Sequence, residues 1–273
     1  MGRIERIQRA LLGALLVASP AGAQSVVQRI TSAPDGEVRI AFAARAGICG
    51  DGRTFIRDKS RGEGDFISYN SDDSHWSGHS KEWRRRACID GPVRVALRVR
   101  DGTVRSVRTY VGGDWPSPLG ATTDLGTIAA HQAAEALFAL ARDPKHTGSD
   151  DLIFPPTLAD SVTTWPTLIS IARDDRAPRR SRSSAVFWLS QQAGDAATKG
   201  LTDIVDDDSE DREIREQAVF GLSQLPKDQG VPILMHAAKT NRDPQVRRKA
   251  LFWLGQSDDP RVLGFLEEIL NRR

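Results

Sequence analysis

The chain has 273 residues, and 38 basic against 36 acidic side chains leave a formal net charge of +2. So even a balance gives no ground for a nucleic-acid partner, which calls for a basic excess gathered on one face. The two cysteines, Cys49 and Cys88, stand too far apart in sequence for a Cys-x-x-Cys redox pair, and no cofactor is implied.

Arg3, Arg6 and Arg9 precede an apolar run from Ala10 to Ala18, and Pro20-Ala21-Gly22-Ala23 supplies the small residues of an Ala-x-Ala cleavage site. Residues 1–23 therefore read as a secretory signal peptide. The apolar run is about half of the ~20 residues that a bilayer-crossing helix needs. The mature chain is expected in the periplasm or secreted, with no membrane span after cleavage.

Residues 24–118 read as a small antiparallel β domain. Val38, Ile40 and Phe42 alternate with Arg39 and Ala41, and Val93, Val95, Leu97 and Val99 alternate with Arg94, Ala96, Arg98 and Arg100. This is the period-2 pattern of half-buried strands. Asp101-Gly102 between the second run and a β-rich stretch through Tyr110-Val111 is a hairpin signal. In an exported chain Cys49 and Cys88 make one disulfide, worth roughly 3–4 kcal/mol for a closed loop of about 40 residues. Antiparallel pairing of the first strand with residues 93–100 brings the two cysteines together. Arg94, Arg98 and Arg100 share one face and read as a solvated surface that blunts an edge, the alternative being a surface for an anionic polymer or an acidic partner.

Between these strands, residues 60–82 are rich in Gly, Ser and Asp and carry His75, Trp76 and His79. A histidine pair at i and i+4 binds zinc from a helix, with Asp72 or Asp73 as a further ligand. Ser77-Gly78 and the flanking serines place the pair on a loop instead. With Asp51 these residues form the one cluster that an enzyme would use. A metal-dependent hydrolase or carbohydrate-binding module in this domain, with the rest as accessory, is thus the alternative function. Trp115-Pro116-Ser117-Pro118 closes the domain as a stiff linker.

Residues 119–273 change character. An alanine- and leucine-rich run over 124–142 predicts a capping helix, and Gly148, Pro155 and Pro156 make 143–161 a long loop. From 162 onward a phrase recurs: AVFWLSQ from Ala185, AVFGLSQ from Ala218 and ALFWLGQ from Ala250, spaced 33 and 32 residues apart. Such a period marks stacked helical repeats, none of which buries its apolar face alone. Each unit has a first helix, a polar turn and the helix carrying the phrase. Residues 260–270 repeat the first helix once more and end in polar residues.

The stretch DPQVRRKALFWLGQSDDPRVLGFLEEIL from Asp243 resembles the HEAT repeat, in particular the short HEAT-like repeat of phycobilin lyases. The turn aspartate and the Val-Arg that follows it match Asp243, Val246 and Arg247, and one repeat earlier Asp211, Ile214 and Arg215. The first unit keeps Arg182 but has Pro178 and Ser181 at the other two places, which departs from an Asp-Arg ladder. The resemblance implies a right-handed α-solenoid that binds proteins, and no lyase chemistry. The expected fold is α+β, a disulfide-linked antiparallel β domain followed by HEAT-like helix pairs.

At 100° per residue, Ala185, Leu189, Val186, Ser190 and Phe187 fall on one broad arc that reads as buried. Trp188, Gln191, Gly221, Gln224, Trp253 and Gln256 occupy the remaining stripe. Second helices of HEAT arrays line the concave face, so this stripe is expected to be the binding groove for a protein or peptide partner in the cell envelope. Packing of both tryptophans between repeats or under the first domain is the alternative.

Overall fold

The computed structural model describes residues 21–53, 55–59, 66–68, 88–118, 120–192 and 194–271. The basic and apolar parts of the expected leader lie outside the described residues, as does the segment with Asp72, Asp73, His75 and His79. Helix α1 (Ala21–Thr31) runs through the expected cleavage position and buries Val26 and Ile30.

Strands β1 (Gly36–Phe42), β6 (Val93–Arg100), β7 (Thr103–Val111) and β8 (Thr122–Thr127) form one sheet in the order β7-β6-β1-β8. The alternation dictates its inner face. Val38, Ile40, Phe42, Val93, Val95, Leu97 and Val99 are all essentially inaccessible. The β6–β7 hairpin turns at Asp101 and Gly102 with φ of 51° and 66°, the left-handed pair that a type I′ turn demands. β1 pairs with β6 antiparallel from Gly36 opposite Val99 to Phe42 opposite Val93, as the pattern predicts.

Three sequence expectations change here. The capping helix begins only at Ala130, as α2 (Ala130–Arg142), because residues 122–127 are strand β8, parallel to β1. Arg94 is not on the solvated face with Arg98 and Arg100, since it is 4% exposed. The Trp-Pro-Ser-Pro segment lies back over the sheet instead of leading away. Trp115 sits 4.7 Å from the Arg39 guanidinium and 5.4 Å from that of Arg94, and Arg39 Nη2 donates to the Pro116 carbonyl at 2.8 Å.

A second sheet, β4-β3-β2-β5, comprises β2 (Ile48–Gly50), β3 (Phe55–Asp58), β4 (Phe66–Ser68) and β5 (Ile89–Asp90). The Cys49–Cys88 disulfide, with Cα atoms 5.2 Å apart, ties β2 to the approach to β5. This sheet meets the end of β7 through glycine. A Cβ on Gly112 would lie 2.2 Å from the Ile89 carbonyl oxygen, and one on Gly50 would lie 2.5 Å from that of Val111.

Helices α1 and α2 pack together on the core side. The expected loop over 143–161 is largely interior. Leu152, Ile153, Phe154 and Leu158 have no exposed surface, and Pro155–Leu158 forms a 3-10 turn. This segment bonds back to the β half through Arg45 N–H to the Leu158 carbonyl at 2.8 Å and Asp160 N–H to that of Ala43 at 2.9 Å.

Beyond it lie α3 (Trp165–Ala172), α4 (Arg179–Ser190), α5 (Asp195–Asp206), α6 (Arg212–Ser223), α7 (Lys227–Thr240), α8 (Pro244–Gly255) and α9 (Pro260–Asn271). Consecutive helices pair as α3–α4, α5–α6 and α7–α8, and α4, α6 and α8 also pack on one another. Asp211 and Asp243 cap α6 and α8, accepting from Glu213 N–H at 2.9 Å and Gln245 N–H at 2.8 Å. Each also binds an arginine of the preceding phrase helix, Arg179 with Asp211 at 3.0 Å and Arg212 with Asp243 at 3.2 Å.

The departure at Pro178 is compensated. Arg182 Nε donates to the Ala172 carbonyl at 2.9 Å, just as Arg215 Nε donates to that of Val205 at 3.1 Å. Both satisfy carbonyls at the end of a first helix, where no intrahelical donor remains. Glu210 takes the anionic place and pairs with Arg182, both side chains being 8% exposed.

His146 gives this fold a pH dependence. It is 2% exposed, and its Nδ1 accepts the Val104 N–H at 3.1 Å, which requires an unprotonated Nδ1. Burial pushes the imidazole below its ordinary value of 6.5, outweighing the Asp143 carboxylate, which pulls it up; Lys145 and Arg105 also push it down. The folded chain therefore binds fewer protons than the unfolded one, and this contribution is present above pH 6.5 and lost as pH falls below it. Urea denaturation at pH 7.5 and 5.5 should show a lower midpoint at the acidic value. The difference should shrink in His146→Asn, which keeps an acceptor without a titrating ring.

Candidate protein-binding face

The phrase helices decide what the array can offer. In α4 the buried residues are Ser181, Arg182, Ala185, Val186, Trp188, Leu189 and Ser190. With Ala185 at zero, they span from about 300° through zero to about 140°, centred near 40° and Leu189. Phe187, at about 200°, lies almost opposite that centre. The expected arc is therefore shifted, with tryptophan at its edge and phenylalanine turned outward.

The reason is a neighbour on that side. Trp188 is 5% exposed and stacks on Phe154 of the buried segment, with centroids 4.5 Å apart and planes 24° apart. It serves packing, not an open groove. Trp253 repeats this contact one aromatic further along, 5.0 Å from Phe220, and is half-buried. Its Nε1 is buried and has no hydrogen-bond partner among the described residues. Gly221 is buried as well. A Cβ there would lie 3.1 Å from Ser190 Cβ and 3.2 Å from Leu201 Cδ2, so glycine at this place is what lets α6 come so close to α4 and α5.

The glutamines stay at the rim. Gln191 Nε2 donates to Ser190 Oγ at 3.2 Å and Gln224 Nε2 to Ser223 Oγ at 3.1 Å, while each serine donates to the carbonyl of the phrase phenylalanine. Gln191 is half-buried, and Gln224 and Gln256 are exposed. In the third phrase Gly255 replaces the serine, so Gln256 lacks this partner.

What the wheel missed is the phenylalanine row. Phe187 and Phe220 are half-buried, and Phe252 is 54% exposed, an unusual exposure for so large an apolar side chain. The three occupy equivalent places on α4, α6 and α8, which adjoin one another. The signal was already in the sequence: phenylalanine is the one aromatic that all three phrases share, whereas tryptophan is absent from the second.

Asp51, from the histidine-aspartate cluster, accepts the N–H groups of Arg53 and Phe55 at 2.9 and 3.0 Å, an aspartate turn between β2 and β3. Among the described residues no group of three or more His, Cys, Asp and Glu is placed to hold a metal. No helix among them is long and apolar enough to cross a membrane.

A family model of HEAT repeats matches residues 198–273, which cover α5 to α9. Over that span the solenoid is HEAT-like, and HEAT repeats are commonly protein-interaction scaffolds. No curated protein matches the chain.

The two aromatic types should separate by stability. Trp188→Ala removes a buried stack and should cost about 3–5 kcal/mol, read as a large fall in melting temperature. Phe252→Ala should stay within about 1 kcal/mol of the parent, as exposed positions usually do. Equal losses would contradict the assignment of one ring to the core and the other to the surface.

Proposed function

We propose that this chain is an exported, non-catalytic scaffold that holds a protein or peptide partner of the cell envelope against the concave face of its repeats. That face is formed by α4, α6 and α8. The repeats are of the short phycobilin-lyase type in form, without the chemistry of those enzymes. Periplasmic or secreted location rests on the basic, apolar and small-residue order of residues 1–23, and the disulfide agrees with an oxidising compartment.

The observation that carries the binding reading is the row Phe187, Phe220 and Phe252, in register across three repeats and most exposed at its end. A folded chain gains nothing from leaving a phenylalanine in water, and exposed apolar rows mark interaction sites. The earlier stripe contributes Gln224 and Gln256 at the rim of this row, while Trp188 and Gly221 support it from below.

Full-length chain, immobilised and exposed to envelope extract, should retain a defined partner that the Phe220→Ala/Phe252→Ala variant retains at least about tenfold less. The variant's melting temperature should remain within about 5 °C of the parent. A partner held equally by both proteins would remove the face from consideration.

A further inference from the structure

The charges around the phenylalanine row are unlike those elsewhere in the array. From Arg173 to Arg261, almost every lysine and arginine is spent on a carboxylate or a carbonyl. Arg173 pairs with Asp207, Arg179 with Asp211, Lys199 with Asp203, Arg212 with Asp243, Lys227 with Asp258 and Lys239 with Glu268. Arg182, Arg215 and Arg247 close helix ends through carbonyls, Arg176 and Arg261 pair with aspartates two residues away, and Arg242 pairs with Asp208 of the preceding repeat. Three cations stand apart, with no hydrogen bond or ion pair among the described residues: Arg180, Arg248 and Lys249.

All three are on phrase helices, and all three fall on the phenylalanine side. On the wheel that puts phenylalanine at about 200°, Arg180 lies at about 220°, Arg248 at about 160° and Lys249 at about 260°. Arg248 and Lys249 precede Phe252 by one helical turn, the spacing at which side chains share a face. The middle helix differs in sign: Glu216 lies at about 160° beside Phe220. Along α4, α6 and α8 the row is thus flanked by a cation, by two carboxylates, Glu216 and the Arg179-paired Glu213 at about 220°, and by two cations.

A cation left without a partner on an otherwise saturated array, next to an exposed phenylalanine, is placed for charge from outside the chain. We infer that the partner segment is an extended acidic-apolar peptide that crosses the phrase helices. Its apolar side chains seat against Phe220 and Phe252, and its carboxylates meet Arg248 and Lys249 at one end and Arg180 at the other. Its middle carries no negative charge, because Glu216 would repel it. Neighbouring helices lie about 9 Å apart, and a chain in the extended polyproline II form rises about 3.1 Å per residue with about three residues per turn, so apolar side chains on one side recur about every third residue. This inference rests on the reading of the phenylalanine row as the binding face and adds the sign and spacing of what binds there.

Fluorescein-labelled peptides of about nine residues, with two leucines three positions apart and end positions filled by Glu, Lys or Ser, are the probes for the full-length chain. A single-stranded oligonucleotide serves as a polyanion without carboxylates. The Glu-ended peptide should bind at least about tenfold more tightly than the Lys-ended one, a gap of roughly 1.4 kcal/mol, and should weaken as salt is raised. Arg248→Glu/Lys249→Glu should reverse that order, and Phe252→Ala should weaken every leucine-bearing peptide. Equal binding of all three peptides, still lost in Phe252→Ala, overturns the acidic preference and leaves the face standing. Glu-ended binding that neither variant changes overturns both. Tighter binding of the oligonucleotide than of any peptide, or no binding of any peptide, overturns the inference, and the capture experiment with the Phe220→Ala/Phe252→Ala variant then decides the face independently.

Discussion

The stack of Phe154 on Trp188 joins the two halves of this molecule. Phe154 comes from a segment with no regular structure on its N-terminal side, and residues 152–159 of that segment are buried throughout. Leu152, Ile153 and Leu158 enter the common core, and Ala159 bridges to Ala44. Arg45 donates to the Thr157 carbonyl at 3.2 Å while pairing with the buried Asp58, and Ser184 of α4 donates to the Asp150 carbonyl at 3.1 Å. A buried irregular chain must find partners for its peptide groups. Here the β half supplies several of them and the solenoid supplies the aromatic face. Remove the stack, and α4 loses its aromatic seat on this segment.

The solenoid proper is held by two different economies of charge and shape. Arginines close each repeat by reaching carbonyls that the first helix leaves open, and the cap aspartates tie each phrase helix to the arginine of the one before. Exposed pairs of this kind are worth little singly. Arg182–Glu210 is the exception because both partners are buried, and losing either would leave an uncompensated charge inside. Shape does the remaining work, with tryptophan where an aromatic neighbour lies within reach and glycine where the next helix comes too close for any side chain.

Much of this was legible from residues alone, for identifiable reasons. The hairpin at Asp101-Gly102, the antiparallel pairing of β1 with β6 and the Cys49–Cys88 bridge follow from strict alternation and from two cysteines at facing strand ends. The solenoid follows from a phrase written three times. Strand β8 was not legible: Thr122, Thr123 and Thr127 are a faint β signal ahead of a strongly helical run, and their pairing with β1 is parallel and distant in sequence. The burial of Leu152-Ile153-Phe154 was hidden by Gly148, Pro155 and Pro156, which break periodicity without saying whether the chain is inside. The leader and the histidine pair stay readings of the sequence.

The reversal of tryptophan and phenylalanine has the most consequence, and its cause is general. A helical wheel weighs only the helix's own residues, so an arc drawn through apolar side chains takes in phenylalanine and leaves out tryptophan. In an array, each phrase helix is covered from three directions: by its own first helix, and by the phrase helices before and after it. The side toward the preceding layer is covered as well, and there Trp188 and Trp253 meet Phe154 and Phe220. The remaining open side is the one facing away from the first helix. That side holds the phenylalanines, and with them the cations that the array leaves unpaired. Aromatic rings that the layers leave partly or wholly open and charges that no neighbour neutralises coincide on one face, which is where a partner has something to complete.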